Sequence, residues 1–270
     1  MTSNALNPND MRLAVLIDAE NVPRNSIKSV MEEVAIYGTP TIKRIYGDWT
    51  NPSIAGWKLS LLENAITPIQ QYSYTTGKNS SDSAMIIDAM DLLYTEKTDG
   101  FVIVSSDSDF TRLAIRLREA GQKVIGIGER KTPSAFIAAC DKFIYIEVIY
   151  AHAEDQRTES ADGDEGELKP SAHKGGKNRR ESRHRGQKVP EDVVSLIADS
   201  VADLSGDNGE VFMGELGNLI LKKQPDFDTR NFGYTSLSAM IKSIDRFEID
   251  FRQTADPNIK HVFVRDKEAG

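Results

Sequence analysis

Cysteine is nearly absent: Cys140 is the only one among 270 residues. One thiol closes no intramolecular disulfide and builds no multi-thiolate zinc site, and the 4 scattered histidines form no ligand cluster. Disulfide scaffolds and zinc fingers are therefore excluded. Long apolar runs are missing too; nothing approaches the roughly 18–20 residues that a membrane span needs. The opening stretch MTSNALNPND lacks a basic segment leading into an apolar one. These absences set the expectation of a soluble, cytoplasmic protein with no membrane partner. Neither a Walker loop nor GxGxxG is present. Basic residues are the scarcer charge, 33 Lys and Arg against 41 Asp and Glu for a net −8, which argues against a uniformly basic nucleic-acid binder.

The length fits two domains at about 100–200 residues each, and a stretch without hydrophobic periodicity separates them. Residues 151–188 carry the composition of a disordered linker, rich in Gly, Ser, Lys, Arg and Glu. Its charges are segregated, with acids from Glu154 to Glu167 and bases from Lys169 to Lys188. Net charge is −3 over residues 1–150, +1 over 151–188 and −6 over 189–270. The dense positive cluster includes Lys174, Lys177, Arg179, Arg180, Arg183, Arg185 and Lys188. It can neutralise phosphates without sequence specificity, or serve as a solvated tether.

In residues 1–150, short apolar runs at Leu13–Ile17, Ile42–Tyr46, Phe101–Val104, Lys123–Ile127 and Phe143–Val148 read as buried parallel strands, with a weaker one near Pro68–Tyr72. Helical patterns lie between them at Ser26–Tyr37, Ser53–Ala65, Ser83–Tyr94, Phe110–Ala120 and Ser134–Asp141. The alternation predicts an α/β domain with right-handed crossovers and an open, mostly parallel sheet. Such sheets place their chemistry beyond the carboxyl ends of the strands.

Acids stand at those ends. Asp18 directly follows the first strand, and Phe101–Val104 runs into Ser105-Ser-Asp-Ser-Asp-Phe110, which brings Asp107 and Asp109 to the same edge. Asp82 sits in a small-residue loop entering the next helix. Carboxylates meeting there raise one another's pKa unless a cation neutralises them, and oxygen-only ligands suit Mg²⁺ or Mn²⁺. Asp82 and Asp109 also fit the simpler role of helix caps. Asp88, six residues after Asp82, is turned about 120° around the helix and is assigned a structural hydrogen bond or a solvent-facing position. Asn21 could orient Asp18, contact a bound water, or simply make the turn before Pro23.

Val15-Leu-Ile-Asp-Ala-Glu-Asn21, Gly77-Lys-Asn-Ser-Ser-Asp82 and Val104-Ser-Ser-Asp-Ser-Asp-Phe110, with Gly128-Glu-Arg-Lys-Thr-Pro133 after them, resemble the signature blocks of NYN domains, the LabA-like branch of the PIN-like nuclease superfamily. The resemblance spans residues 11–149 and implies a PIN-like (Rossmann-like) fold, a divalent-metal site of Asp18, Asp82, Asp107 and Asp109, and Asn21 as the accompanying Asn. It also implies ribonuclease activity leaving 5′-phosphate and 3′-hydroxyl ends, and it allows a homodimer. Residues 189–268 resemble the OST-HTH or LOTUS domain, a small winged helix-turn-helix. They offer a helix at Glu191–Leu204, the segments Val211–Ile220, Phe227–Tyr234 and Ser236–Ile244, and a hairpin of Phe247–Phe251 with His261–Val264. That likeness implies RNA or a protein as partner. Phe227, Phe232 and Tyr234 are expected in its core rather than against bases.

The expected function is metal-dependent hydrolysis of RNA, and the competing expectation is a non-catalytic RNA-binding adaptor on the same fold. Arg44, Lys78, Arg112 and Lys131 are expected near the catalytic edge as phosphate contacts, joined by Lys177, Arg179 and Arg180 of the basic tract. Tyr46 or Trp49 could stack on a base. An aspartyl-phosphate hydrolase is disfavoured, because Ile17-Asp-Ala-Glu lacks a second Asp two residues after the first.

Overall fold

The computed structural model describes residues 11–72, 80–95, 97–161, 188–206, 209–253 and 260–269. The chain divides into two compact units, Met1–Gln156 and Arg157–Gly270.

The first unit has strands β1 (Arg12–Asp18), β2 (Thr39–Gly47), β3 (Thr67–Gln70), β4 (Gly100–Val104), β5 (Lys123–Gly128) and β6 (Lys142–Tyr145). Its helices are α1 (Ile27–Tyr37), α2 (Lys58–Asn64), α3 (Ser80–Tyr94), α4 (Thr111–Glu119), α5 (Ser134–Ala139) and α6 (Ile146–Ala161), the last of which runs past Gln156. All neighbouring strands pair in parallel, in the order β3-β2-β1-β4-β5-β6. β1 is central, and Leu13 through Ile17 are fully buried. Each such aliphatic side chain contributes about 1.5–3 kcal/mol when buried.

The strand period of two divides the core. Leu13, Val15 and Ile17 pack with Val30 and Val34 of α1, Leu61 of α2 and Ile149 of α6. Ala14 and Leu16 face the other way, onto Met85 and Ala89 of α3, Leu113 and Leu117 of α4 and Phe136 of α5. Chain direction around the sheet reverses between β1 and β4, and that reversal opens a crevice at their carboxyl ends.

Two expectations change. The run Phe143–Val148 ends as a strand at Tyr145, and α6 begins at Ile146. Buried Ile146 and Ile149, with Tyr150 beside them, repeat at helical rather than strand spacing, a distinction that a short apolar run does not reveal. α6 then continues to Ala161, so residues 151–161, read as linker, are helical. Residues 162–187 lie outside the described residues.

The second unit holds α7 (Glu191–Leu204), β7 (Glu210–Phe212), α8 (Met213–Lys223), α9 (Leu237–Lys242), β8 (Phe247–Gln253) and β9 (Lys260–Asp266). Its antiparallel sheet runs β7-β9-β8, and the β8–β9 pair is the wing. Val193, Ile197 and Val201 of α7 meet Leu216 and Ile220 of α8, Met240 and Ile241 of α9, and Val264 of the wing. Phe227 is buried in this core, with Phe232 and Tyr234 packed against it. Gly233 takes φ +77° and ends the 3-10 turn Thr229–Phe232, a conformation that favours glycine. Arg246 holds the buried Asp266 at 2.7 Å, keeping that carboxyl below its usual pKa and tying the end of β9 to the turn that enters β8.

Candidate active site

Strand parity brings the acids together. Asp18 continues the side of β1 carrying Ala14 and Leu16, the side covered by α3, and Asp82 lies in the first turn of α3. Met85, Ala89, Leu92 and Leu93 bury one stripe of that helix, and Asp82, three residues before Met85, belongs to it. Asp18 and Asp82 are both buried.

The end of β4 supplies the other half. Ser105 follows the strand, and its N–H donates to the Ile127 carbonyl at 3.0 Å. Its hydroxyl donates to Asp18 Oδ2 at 3.0 Å and accepts from the Asp107 N–H at 3.1 Å. One hydroxyl thus links the ends of β1 and β4. Asp107 caps the following 3-10 turn, Ser108–Phe110, its Oδ1 accepting from the Asp109 N–H at 2.9 Å. Gly128 of β5 allows this close approach, since a Cβ there would stand 2.6 Å from the Ser105 carbonyl and 2.8 Å from Thr132 Oγ1. The Glu129 N–H donates to Ser106 Oγ at 2.8 Å and secures the loop from the same side.

Asp82, Asp107 and Asp109 each bring one carboxylate oxygen within 4.8 Å of the others. Burial, reinforced by Asp18, Asp107, Asp109 and Glu20, pushes the Asp82 carboxyl up to about 6. Glu20 is raised as well, by desolvation and by Asp18 and Asp48. Such a set suits a hard divalent cation, which supplies the charge that the acids cannot supply one another. Asp18 stands beside this triad rather than within it: its oxygens also accept from Asn21 Nδ2 at 2.6 Å and from the Glu20 N–H at 3.1 Å. Asn21 therefore orients Asp18.

The expected cations separate. Arg44 and Tyr46 lie on the α3 side of β2 and both donate to Asp88. Arg44 is thus turned to a scaffold carboxylate instead of a phosphate, and the structural hydrogen bonds assigned to Asp88 are present. Tyr46 is fully buried and unavailable to a base. Trp49 is half-buried, its Nε1 donating to the Ile69 carbonyl at 2.9 Å. Lys131 is exposed and pairs with Glu129 at 2.6 Å. Arg112 is exposed at the start of α4, just past Asp109. Lys78, Lys177, Arg179 and Arg180 lie outside the described residues.

Sequence reasoning did not single out Ser105 or Glu20. For Ser105 a signal existed, because it follows β4 as Asp18 follows β1. Cys140 carries no chemistry here; its buried thiol is pushed up to about 12 and donates to the Phe136 carbonyl.

Comparison with known proteins identifies the family. The NYN domain profile matches residues 12–147, and the OST-HTH/LOTUS domain profile matches residues 187–259. No curated protein matches the chain. Among solved structures, a protein of unknown function from Vibrio parahaemolyticus is 19% identical, covering 54% of this chain and 96% of its own at a TM-score of 0.45. An uncharacterized protein of Nitrosomonas europaea is 25% identical over 40% of this chain and 94% of its own, with a TM-score of 0.27. The WlbA dehydrogenase from Bordetella pertussis, in complex with NADH and UDP-GlcNAcA, is 16% identical over 58% and 40%, at 0.30. None of the three bears on the chemistry of the site. With its parallel sheet, its acidic crevice and a profile match spanning half its length, the chain belongs to the NYN domain family and carries a C-terminal OST-HTH/LOTUS domain.

Proposed function

We propose that this chain is a metal-dependent ribonuclease that hydrolyses RNA phosphodiester bonds. The observation that carries the reading is the convergence of Asp82, Asp107 and Asp109 within 4.8 Å at the β1/β4 crevice. These three carboxylates would hold Mg²⁺ or Mn²⁺, with Asp18 at their side. When bound, the cation offsets phosphate charge and makes water a better nucleophile near neutral pH. The protein's own part is positioning. Asn21 and Ser105 keep Asp18 aimed, the Asp107 cap fixes the spacing of Asp107 and Asp109, and α3 presents Asp82 from the opposite side. No covalent step on a side chain is needed, since Ser105 Oγ is committed to Asp18 and the Asp107 N–H.

RNA as the substrate is supported by the OST-HTH/LOTUS domain, because acids that hold a cation do not themselves read the 2′-hydroxyl. Arg112, Lys78 and the tract with Lys177, Arg179 and Arg180 are the proposed phosphate contacts. The C-terminal unit would recruit RNA or a protein partner.

The test is cleavage of end-labelled single-stranded RNA, with matched DNA alongside, in Mg²⁺ or Mn²⁺ and in excess chelator. Wild type is expected to leave 5′-phosphate ends, and both chelator and Asp107→Asn are expected to lower the rate at least about 100-fold. Cleavage undiminished in Asp107→Asn would sink this site. Absence of cleavage with retained RNA binding would establish an adaptor.

A further inference from the structure

The crevice has two walls, and an arginine lies near the start of each. α1 and α4 cover opposite faces of the sheet, so their amino-terminal ends rise on either side of the acids. Arg112 opens α4. Arg24 opens the 3-10 turn Arg24–Ser26 that leads into α1, six residues beyond Asp18. Both are exposed. Among the described residues neither has a carboxylate within ion-pair distance, whereas Arg44 is paired with Asp88 and Lys131 with Glu129.

Arg24 is also seated. The end of its side chain rests against Gly56 in the 3-10 helix Pro52–Trp57 that follows β2, with Nη1 nearest the glycine. A Cβ on Gly56 would overlap Nη1 of Arg24 and stand 3.1 Å from its Cζ and 3.8 Å from its Cδ. The bare glycine surface thus accepts the guanidinium. Its N–H groups meet no protein hydrogen-bond acceptor among the described residues, at an edge otherwise dominated by carboxylates. A guanidinium held this way suits bidentate contact with a phosphate, and loses less freedom on binding than a solvated one.

We propose that Arg24 is a phosphate-binding residue for the RNA strand, working across the crevice from Arg112 so that phosphates on both sides of the scissile one are held. The proposal rests on the ribonuclease reading for its substrate, and the experiment separates the two.

The probe is a short single-stranded RNA, cleaved in Mn²⁺ over a salt series by wild type, Arg24→Gln, Gly56→Ala and the double variant. Arg24→Gln is expected to raise KM about tenfold with kcat within about twofold. It should also flatten the slope of log(kcat/KM) against log salt by ~0.7, the value for one neutralised single-strand phosphate. Gly56→Ala keeps the charge but removes its seat, so KM should rise about threefold with the slope retained. In the double variant Gly56→Ala should add nothing, because both changes act through one interaction. Wild-type KM and slope in Arg24→Gln, or additive effects in the double variant, would overturn the assignment. If wild type shows no Mn²⁺-dependent cleavage, the ribonuclease reading falls alone. The same salt series on RNA binding, followed by fluorescence anisotropy, then decides Arg24: a flattened slope upholds it and an unchanged slope overturns it.

Discussion

Asp82 shows how one carboxyl couples fold to function. Burial and four neighbouring acids push it up to about 6, so it binds its proton more tightly folded than unfolded. A group shifted in that sense stabilises the fold below its unfolded pKa, and the contribution fades as pH rises through the folded one. In chelator, Asp82→Asn should therefore be more stable than wild type by about 1–2 kcal/mol at pH 8 and gain little at pH 4.5. Thermal melts at the two pH values check this. Adding Mn²⁺ should reverse the order at pH 8, because only wild type retains the full ligand set. Equal melting at every pH would show Asp82 fully solvated. At this scale the sequence revealed which residues are acidic and which end strands. The shared hydroxyl of Ser105 was not legible, since it depends on two strands 87 residues apart lying side by side.

α3 has two duties that its sequence alone does not separate. Its buried stripe packs on the sheet, while Asp88 on its flank takes hydrogen bonds from Arg44 and Tyr46 of β2. These bonds tie the helix to the sheet one and a half turns beyond Asp82 and hold its first turn at the crevice. Asp88→Asn should cost about 1–2 kcal/mol in urea unfolding, because it leaves the half-buried Arg44 without its counter-charge. Mn²⁺ affinity should fall several-fold through the loosened α3, as a metal titration would show, with Asp82 chemically intact. Wild-type stability and affinity together would mean that the clamp is idle. Spacing on the helix correctly set Asp88 apart from Asp82. It could not show that Arg44 was Asp88's partner, because that needs the parity of β2 against α3. At α6, likewise, an apolar run fits strand or helix until its packing partners are known.

Across the whole chain, charge follows the domain plan, −3 and −6 over the two folded regions and a basic tract between them. If that tract contributes RNA affinity, replacing Lys174, Lys177, Arg179, Arg180, Arg183 and Arg185 with Gln should weaken binding most at low salt. It should flatten the salt slope by ~0.7 for each phosphate that is no longer neutralised. Anisotropy titrations read this directly, and an unchanged slope would leave the tract a tether. The sequence by itself determined the alternation of strands and helices, the two-domain plan and the acids at strand ends. Those properties are written in neighbouring residues, through the periods of 2 and 3.6 and through turn chemistry. The tertiary structure alone decided that β1 and β4 lie side by side, and so which acids meet. It also decided that Asp18 stands beside a triad of Asp82, Asp107 and Asp109, and that Arg44 is spent on Asp88 while Arg24 rests against Gly56. Strand order and helix-to-sheet packing join residues far apart in the chain, and no local pattern encodes them.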